Sequence, residues 1–137
     1  MISAALVLSI GVIFALSWWL DPSGAGHGTH TQLGLGQCTF LQLTGYACPM
    51  CGATTTFALM ADLRPIAALI NQPFAASLFA LMVFVFVVAF SEVVYPRDRW
   101  GRIATFLAPW EGFLATAFLV FMGLGWLYKI AWMQWVG

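Results

Sequence analysis

Phe74–Val94, FAASLFALMVFVFVVAFSEVV, carries no charged residue until Glu92, near its end. It is long enough to cross a hydrocarbon core as one helix, which takes about 20 residues. This stretch decides the fold class, because the rest of the chain matches its character. Of the 137 residues, 62% are hydrophobic and 7% charged, against about 25% charged in a soluble domain. The formal net charge is zero and no basic run occurs, so the composition excludes binding to nucleic acid by phosphate neutralisation. The length accommodates one membrane domain spanning 1–137 and no second unit.

Moving toward the C-terminus, Tyr95–Arg102 (YPRDRWGR) concentrates Arg97, Arg99 and Arg102, three of the five cationic residues, in one short loop. Ile103–Pro109 leads into a further apolar stretch, 110–131, framed by Trp110 on one side and Trp126, Tyr128, Trp132 and Trp135 on the other. Aromatic residues in such places form interfacial belts. Lys129 is expected to snorkel to the interface, and Gly123 and Gly125 permit close helix approach. Toward the N-terminus, residues 2–20 form another uncharged span ending on Trp18 and Trp19. A cleaved signal peptide is the competing reading of this span, with Ser23 and Ala25 at a small-residue site. The missing basic residues at the start and the long apolar run favour a retained helix.

Between the first and second spans lies the segment 21–73. Asp21–Thr31 (DPSGAGHGTHT) is a Gly-rich loop, and Thr44-Gly45 marks a turn. Ala53–Leu63 has Phe57, Met60 and Leu63 on one face, the pattern of a short interfacial or re-entrant helix. Thr54, Thr55 and Thr56 are expected to cap its start. The expected fold is therefore an all-α integral membrane protein with three transmembrane helices and one short interfacial or re-entrant helix.

The positive-inside rule puts the 95–102 loop in the cytoplasm. By propagation the N-terminus is cytoplasmic, and the cysteine segment and C-terminus face outward. In a bacterial inner membrane that side permits disulfides. Glu92 and Glu111 are expected to pair with the Arg loop.

All three cysteines, Cys38, Cys48 and Cys51, fall in the outer segment, and three readings compete. A disulfide from Cys38 to Cys48 or Cys51 would staple a segment with little core of its own. Zinc could be held by Cys38, Cys48 and Cys51 with His27 and His30, since thiolates two residues apart suit a tetrahedral ion and Gly52 lets the backbone turn. A redox pair, Cys48 and Cys51, would exploit the start of the following helix. No strand–helix–strand pattern of a thioredoxin-like fold accompanies that pair. No nucleophile–base–acid set or phosphate loop occurs.

Cys38, Leu43-Thr44-Gly45, Cys48-Pro49-x-Cys51-Gly52-x-Thr54, Phe57-Ala58-Leu59, Asp62-Leu63 and Asn71 together resemble the domain-of-unknown-function 2752 family of small bacterial membrane proteins. The linked motif is far more specific than an isolated cysteine pair. The family's Thr-Arg is Thr54-Thr55 here, its Gly-Asp is Ala61-Asp62, and Gln72 splits its Asn-Pro. The resemblance implies a multi-span membrane protein with an extracytoplasmic cysteine motif, in which Gly45, Pro49, Gly52, Thr54, Asp62 and Asn71 are structural, and it implies no activity. The expected function is non-enzymatic, an accessory or assembly subunit in the lipid bilayer with a membrane-protein partner or a second copy of itself. Thiol–disulfide exchange through Cys48 and Cys51 is the alternative.

Overall fold

The computed structural model describes residues 2–135. Seven α-helices occur among them: α1 (Ile2–Trp19), α2 (Thr39–Thr44), α3 (Ala53–Ala61), α4 (Pro65–Asn71), α5 (Pro73–Val94), α6 (Arg99–Leu107) and α7 (Glu111–Trp135). The architecture is all-helical, with three helical stretches long and apolar enough to span a membrane: α1, α5, and α6 with α7.

The third of these differs from the expected span. Helical structure begins at Arg99, and a 3-10 turn at Ala108–Trp110 bridges α6 and α7. Pro109 lies in that turn, at a helix start where its missing N–H costs nothing. Asp98 starts α6 in the left-handed region at φ 45 and accepts from the Gly101 amide at 3.3 Å. Glu92 does not meet an Arg guanidinium here as expected. It accepts the Arg99 backbone amide at 3.0 Å, and the Arg99 guanidinium donates to Ser91 Oγ.

Prolines set two helix starts. Pro65 and Pro73 open α4 and α5, and extended Gln72 (φ −159) is the joint between these helices. Asp62 closes α3, its amide donating to the Ala58 carbonyl and the next amide, of Leu63, to the Met60 carbonyl. Leu63 follows in the left-handed region at φ 58.

α1 packs lengthwise on α5. Phe14 lies 5.0 Å from Phe79 and 5.6 Å from Phe86 between ring centroids, and Phe57 of α3 meets Phe79 edge-on at 5.2 Å. Small residues (Ala68, Ala75, Ala76 and Ala89) are fully buried where backbones approach closely. The Trp100 indole donates to Ser3 Oγ at 3.0 Å, so α1 begins at the Arg-loop end of the bundle. The cysteine segment, entered from α1 and left through α5, occupies the opposite end.

α3 does not present the expected apolar face. Leu63 is 87% exposed, whereas Thr55, Thr56, Ala58 and Leu59 are buried. Its inner side is therefore partly polar, and α3 is wedged among α1, α4 and α5.

α7 approaches the bundle through Phe74, whose ring contacts Phe118 and Phe121 edge-on at 5.3 and 5.6 Å. Gly125 is buried against Phe74, and a Cβ added there would lie 2.7 Å from the Phe74 Cβ; one added at Gly123 meets nothing within 4 Å. Gly125→Val should therefore destabilise the detergent-solubilised protein by about 1–3 kcal/mol through overpacking, while Gly123→Val leaves its thermal midpoint unchanged. Equal midpoints for the two variants would contradict this helix contact.

Candidate functional site

The cysteine segment is held in place by side chains from distant parts of the chain. The turn Cys48–Gly52 closes with Cys51 N–H donating to the Cys48 carbonyl at 2.9 Å and Ala53 N–H to Met50 at 3.0 Å. Gly52 then starts α3 at φ 85. Outside the turn, Gln72 Nε2 donates to the Pro49 carbonyl at 3.1 Å and the Trp126 indole to the Ala47 carbonyl at 2.7 Å. The Tyr128 hydroxyl donates to the Ile70 carbonyl at 2.6 Å. Motif and flanking helices are thus fastened to α7 by aromatic residues expected to form a membrane belt.

Lys129 is the centre of this fastening. Its side chain is fully buried rather than snorkelling. Nζ donates to Asn71 Oδ1 at 2.8 Å, to the Gly26 carbonyl at 3.0 Å and to the Asn71 carbonyl at 3.3 Å, and lies 4.7 Å from the Trp132 ring centroid. Asn71 in turn donates to Thr56 Oγ1 at 2.9 Å and to the Gly52 carbonyl at 3.2 Å. Beside it, Thr29 and Thr55 hydroxyls share a buried hydrogen bond of 2.7 Å.

The threonine row therefore does not cap α3, whose N-cap Gly52 offers no side chain. Thr55 and Thr56 face inward as hydrogen-bond partners, and Thr54 is half-buried. Two glycines make room for the amine. A Cβ on Gly26 (φ 73) would collide with Asn71 Oδ1, and one on Gly52 would stand 2.6 Å from the Gly26 carbonyl and 3.0 Å from Lys129 Nζ.

Lys129, Gly26, Thr29 and Gln72 were not recognisable as site residues by motif. The available signal was an ionisable group within an apolar span, which in a membrane marks a specific partner more often than not.

Of the sequence-predicted ligands, His27, His30, Cys38 and Cys51 line one cavity of about 320 Å³, with Leu41 and Gln42 on its α2 side. Cys48 is not among the residues that line it. Among the described residues, no group of three or more His, Cys, Asp or Glu side chains is arranged to hold a metal ion. All three thiols are free; Cys51 is buried, Cys38 and Cys48 partly so.

Their environments differ. Cys38 precedes α2, and the Leu41 amide above all holds its thiol below the ordinary value; burial opposes this, and the Cys48 thiol and the Phe40 amide add smaller lowering effects. Burial pushes Cys48 up, and Cys38 beside it adds to the rise. Burial, followed by the proximity of Cys48, pushes Cys51 up to about 11. Burial, then the charge of Lys129 and of His30, lowers His27. Gly45 ends α2 at φ 72, and Asp62 is exposed.

These features define an all-helical protein with three candidate membrane spans and a cysteine segment packed on one end of them. Residues 38–86 match the model of a family described as "Protein of unknown function (DUF2752)", the family that the cysteine motif resembles. No curated protein and no solved structure matches the chain. His27, His30 and Lys129 lie outside the matched residues, so the amine fastens the matched segment to a helix beyond it.

Lys129→Met removes the donor to Asn71 and Gly26 and should cost about 1.5–3 kcal/mol, the range for hydrogen bonds involving a charged group. Cys51, buried and expected to be unreactive to maleimide at pH 7 in the native protein, should become alkylatable in this variant and in Gly52→Ala. Unchanged midpoints and an unreactive Cys51 in both would contradict the arrangement. Because His27 is lowered, the unfolded chain takes up its proton first as pH falls. Stability is then complete above the unfolded value of about 6.5 and declines below it. The thermal midpoint should drop between pH 7 and 5, and His27→Gln should reduce that drop.

Proposed function

We propose that the chain is a non-enzymatic accessory or assembly subunit of a bacterial inner membrane, with its cysteine segment on the extracytoplasmic side closed by a Cys38–Cys48 disulfide. The observation that carries this reading is the adjacency of the Cys38 and Cys48 thiols within a segment otherwise fixed to α4, α5 and α7. α2 is the part of the segment least supported by the helices, with no buried residue of its own. A bond from its start to the Cys48 turn would secure it by about 3 kcal/mol in the chain-entropy account. The orientation rests on Arg97, Arg99 and Arg102 at the opposite end of the bundle. The disulfide reading is favoured over zinc because, among the described residues, no three His, Cys, Asp or Glu side chains are grouped to hold an ion.

The exposed surface of α7 supports a membrane neighbour. Phe113, Leu119, Val120, Leu124 and Leu127 are exposed, a face suited to lipid and to a membrane-protein partner or second copy. The redox alternative through Cys48 and Cys51 is less favoured, since burial raises both thiols and so disfavours the reactive thiolate.

Alkylation of the purified protein without reductant, followed by peptide mass spectrometry, tests the pairing. The expected result is a linked Cys38–Cys48 peptide with Cys51 carrying a single alkyl group after unfolding, together with a lower thermal midpoint on reduction. A linked Cys48–Cys51 peptide, or three free thiols in protein isolated from an oxidising compartment, would refute it.

A further inference from the structure

The cavity that Cys38 lines suggests how the pair is formed. We infer that Cys38 is an exchange-active sulfur that takes a disulfide-bearing partner in the cavity beside α2, with Cys48 as the resolving thiol. This rests on the reading of Cys38 and Cys48 as the pair and adds a ligand class to it.

Geometry separates the three sulfurs. Cys38 is partly exposed and lines the cavity, so an incoming disulfide reaches it directly. Cys48 does not line the cavity, and its thiol is close enough to Cys38 for each to perturb the other's protonation. Cys51 lines the same cavity yet is 6% exposed, and the turn that places it is fixed by the Lys129 and Asn71 hydrogen bonds. The opening of about 320 Å³ is large enough for a small disulfide or a cysteine side chain with its neighbours. Its walls supply Gln37, Gln42, Ser23 and Thr31 for peptide-like groups, and His27 and His30 as further polar contacts.

The chemistry balances without another reactant. The Cys38 thiolate attacks one sulfur of RS–SR, forming Cys38–S–SR and expelling RS⁻, which takes up a proton. Cys48 then loses its proton and attacks the Cys38 sulfur, forming the Cys38–Cys48 bond and expelling the second RS⁻. Two thiols are oxidised and one external disulfide is reduced to two thiols, a two-electron exchange. The amides at the start of α2 favour the first attack.

The disulfide has two possible sources, a small molecule or an extracytoplasmic protein, and both are tested on the full chain. Reduced protein in detergent is titrated with glutathione disulfide and mapped by mass spectrometry. The wild type should give a Cys38–Cys48 bond, and Cys48→Ser should accumulate a Cys38–glutathione adduct. With N-ethylmaleimide at pH 7, Cys38 should react at least about tenfold faster than Cys51 in the native wild type, as expected where thiolate availability differs. In cells, Cys48→Ser should form an adduct at Cys38 whose mass assigns the source, a small thiol or a protein.

A Cys38–Cys48 bond in the wild type with no adduct at Cys38 in Cys48→Ser, from either source, overturns the exchange and leaves the staple standing. Pairing of Cys48 with Cys51 overturns both. If the serine variant fails to fold, the wild-type maleimide rates decide, and a Cys38 rate no greater than that of Cys51 overturns the proposal.

Discussion

A buried ammonium group bound to neutral oxygens is the constraint from which the remaining geometry of the cysteine end follows. Taking Lys129 out of water is costly unless its donors are satisfied. The chain satisfies them with Asn71 from the end of α4 and the carbonyl of Gly26 from the loop after α1. The amine therefore joins three parts of the sequence that no helix–helix seam would bring together. Asn71 passes the constraint on to Gly52 and Thr56, and so to the start of α3. Gly26 and Gly52 must remain without side chains because the amine and its acceptors fill the space a Cβ would take.

That constraint explains why one cysteine differs from the other two. Cys51 and Gly52 are held against Lys129 and Asn71, so Cys51 is buried and its thiol kept protonated. Cys38 lies across the cavity at the start of α2, a helix with no buried residue, and its sulfur meets amides instead of hydrocarbon. The motif thus has a fixed side and a looser side, and the Cys38–Cys48 contact falls at their junction. Proposals for a staple and for exchange both draw on this division, one treating the contact as a bond and the other as a site of attack.

Much of the fold could be read from hydropathy. The spans 2–20 and 74–94 coincide with α1 and α5 to within a residue or so, because length and apolarity alone specify a membrane-crossing helix. The motif linking Cys38 to Asn71 falls within the stretch that the family model matches, because fixed spacing is legible in sequence. Periodicity failed for α3, where Phe57, Met60 and Leu63 suggested an apolar face. The buried side carries Thr55 and Thr56, whose hydroxyls are satisfied by Thr29 and Asn71, a pairing that depends on tertiary structure. Lys129 was misread through its place near a helix end, where snorkelling is the ordinary outcome. Only the presence of Asn71 and Gly26 at the same level makes burial favourable. Extension of the third helical stretch back to Arg99 was hidden by Pro109, which the 3-10 turn accommodates.

A double-mutant cycle between Lys129 and Asn71, measured by reversible unfolding in detergent, tests the central claim most directly. Lys129→Met, Asn71→Leu and the double variant are compared with the native chain, and the interaction energy is the departure from additivity. A coupling of about 1.5–3 kcal/mol is expected for a buried hydrogen bond to a charged group. Additive losses, with a coupling near zero, would contradict the view that this amine holds the cysteine segment to α7.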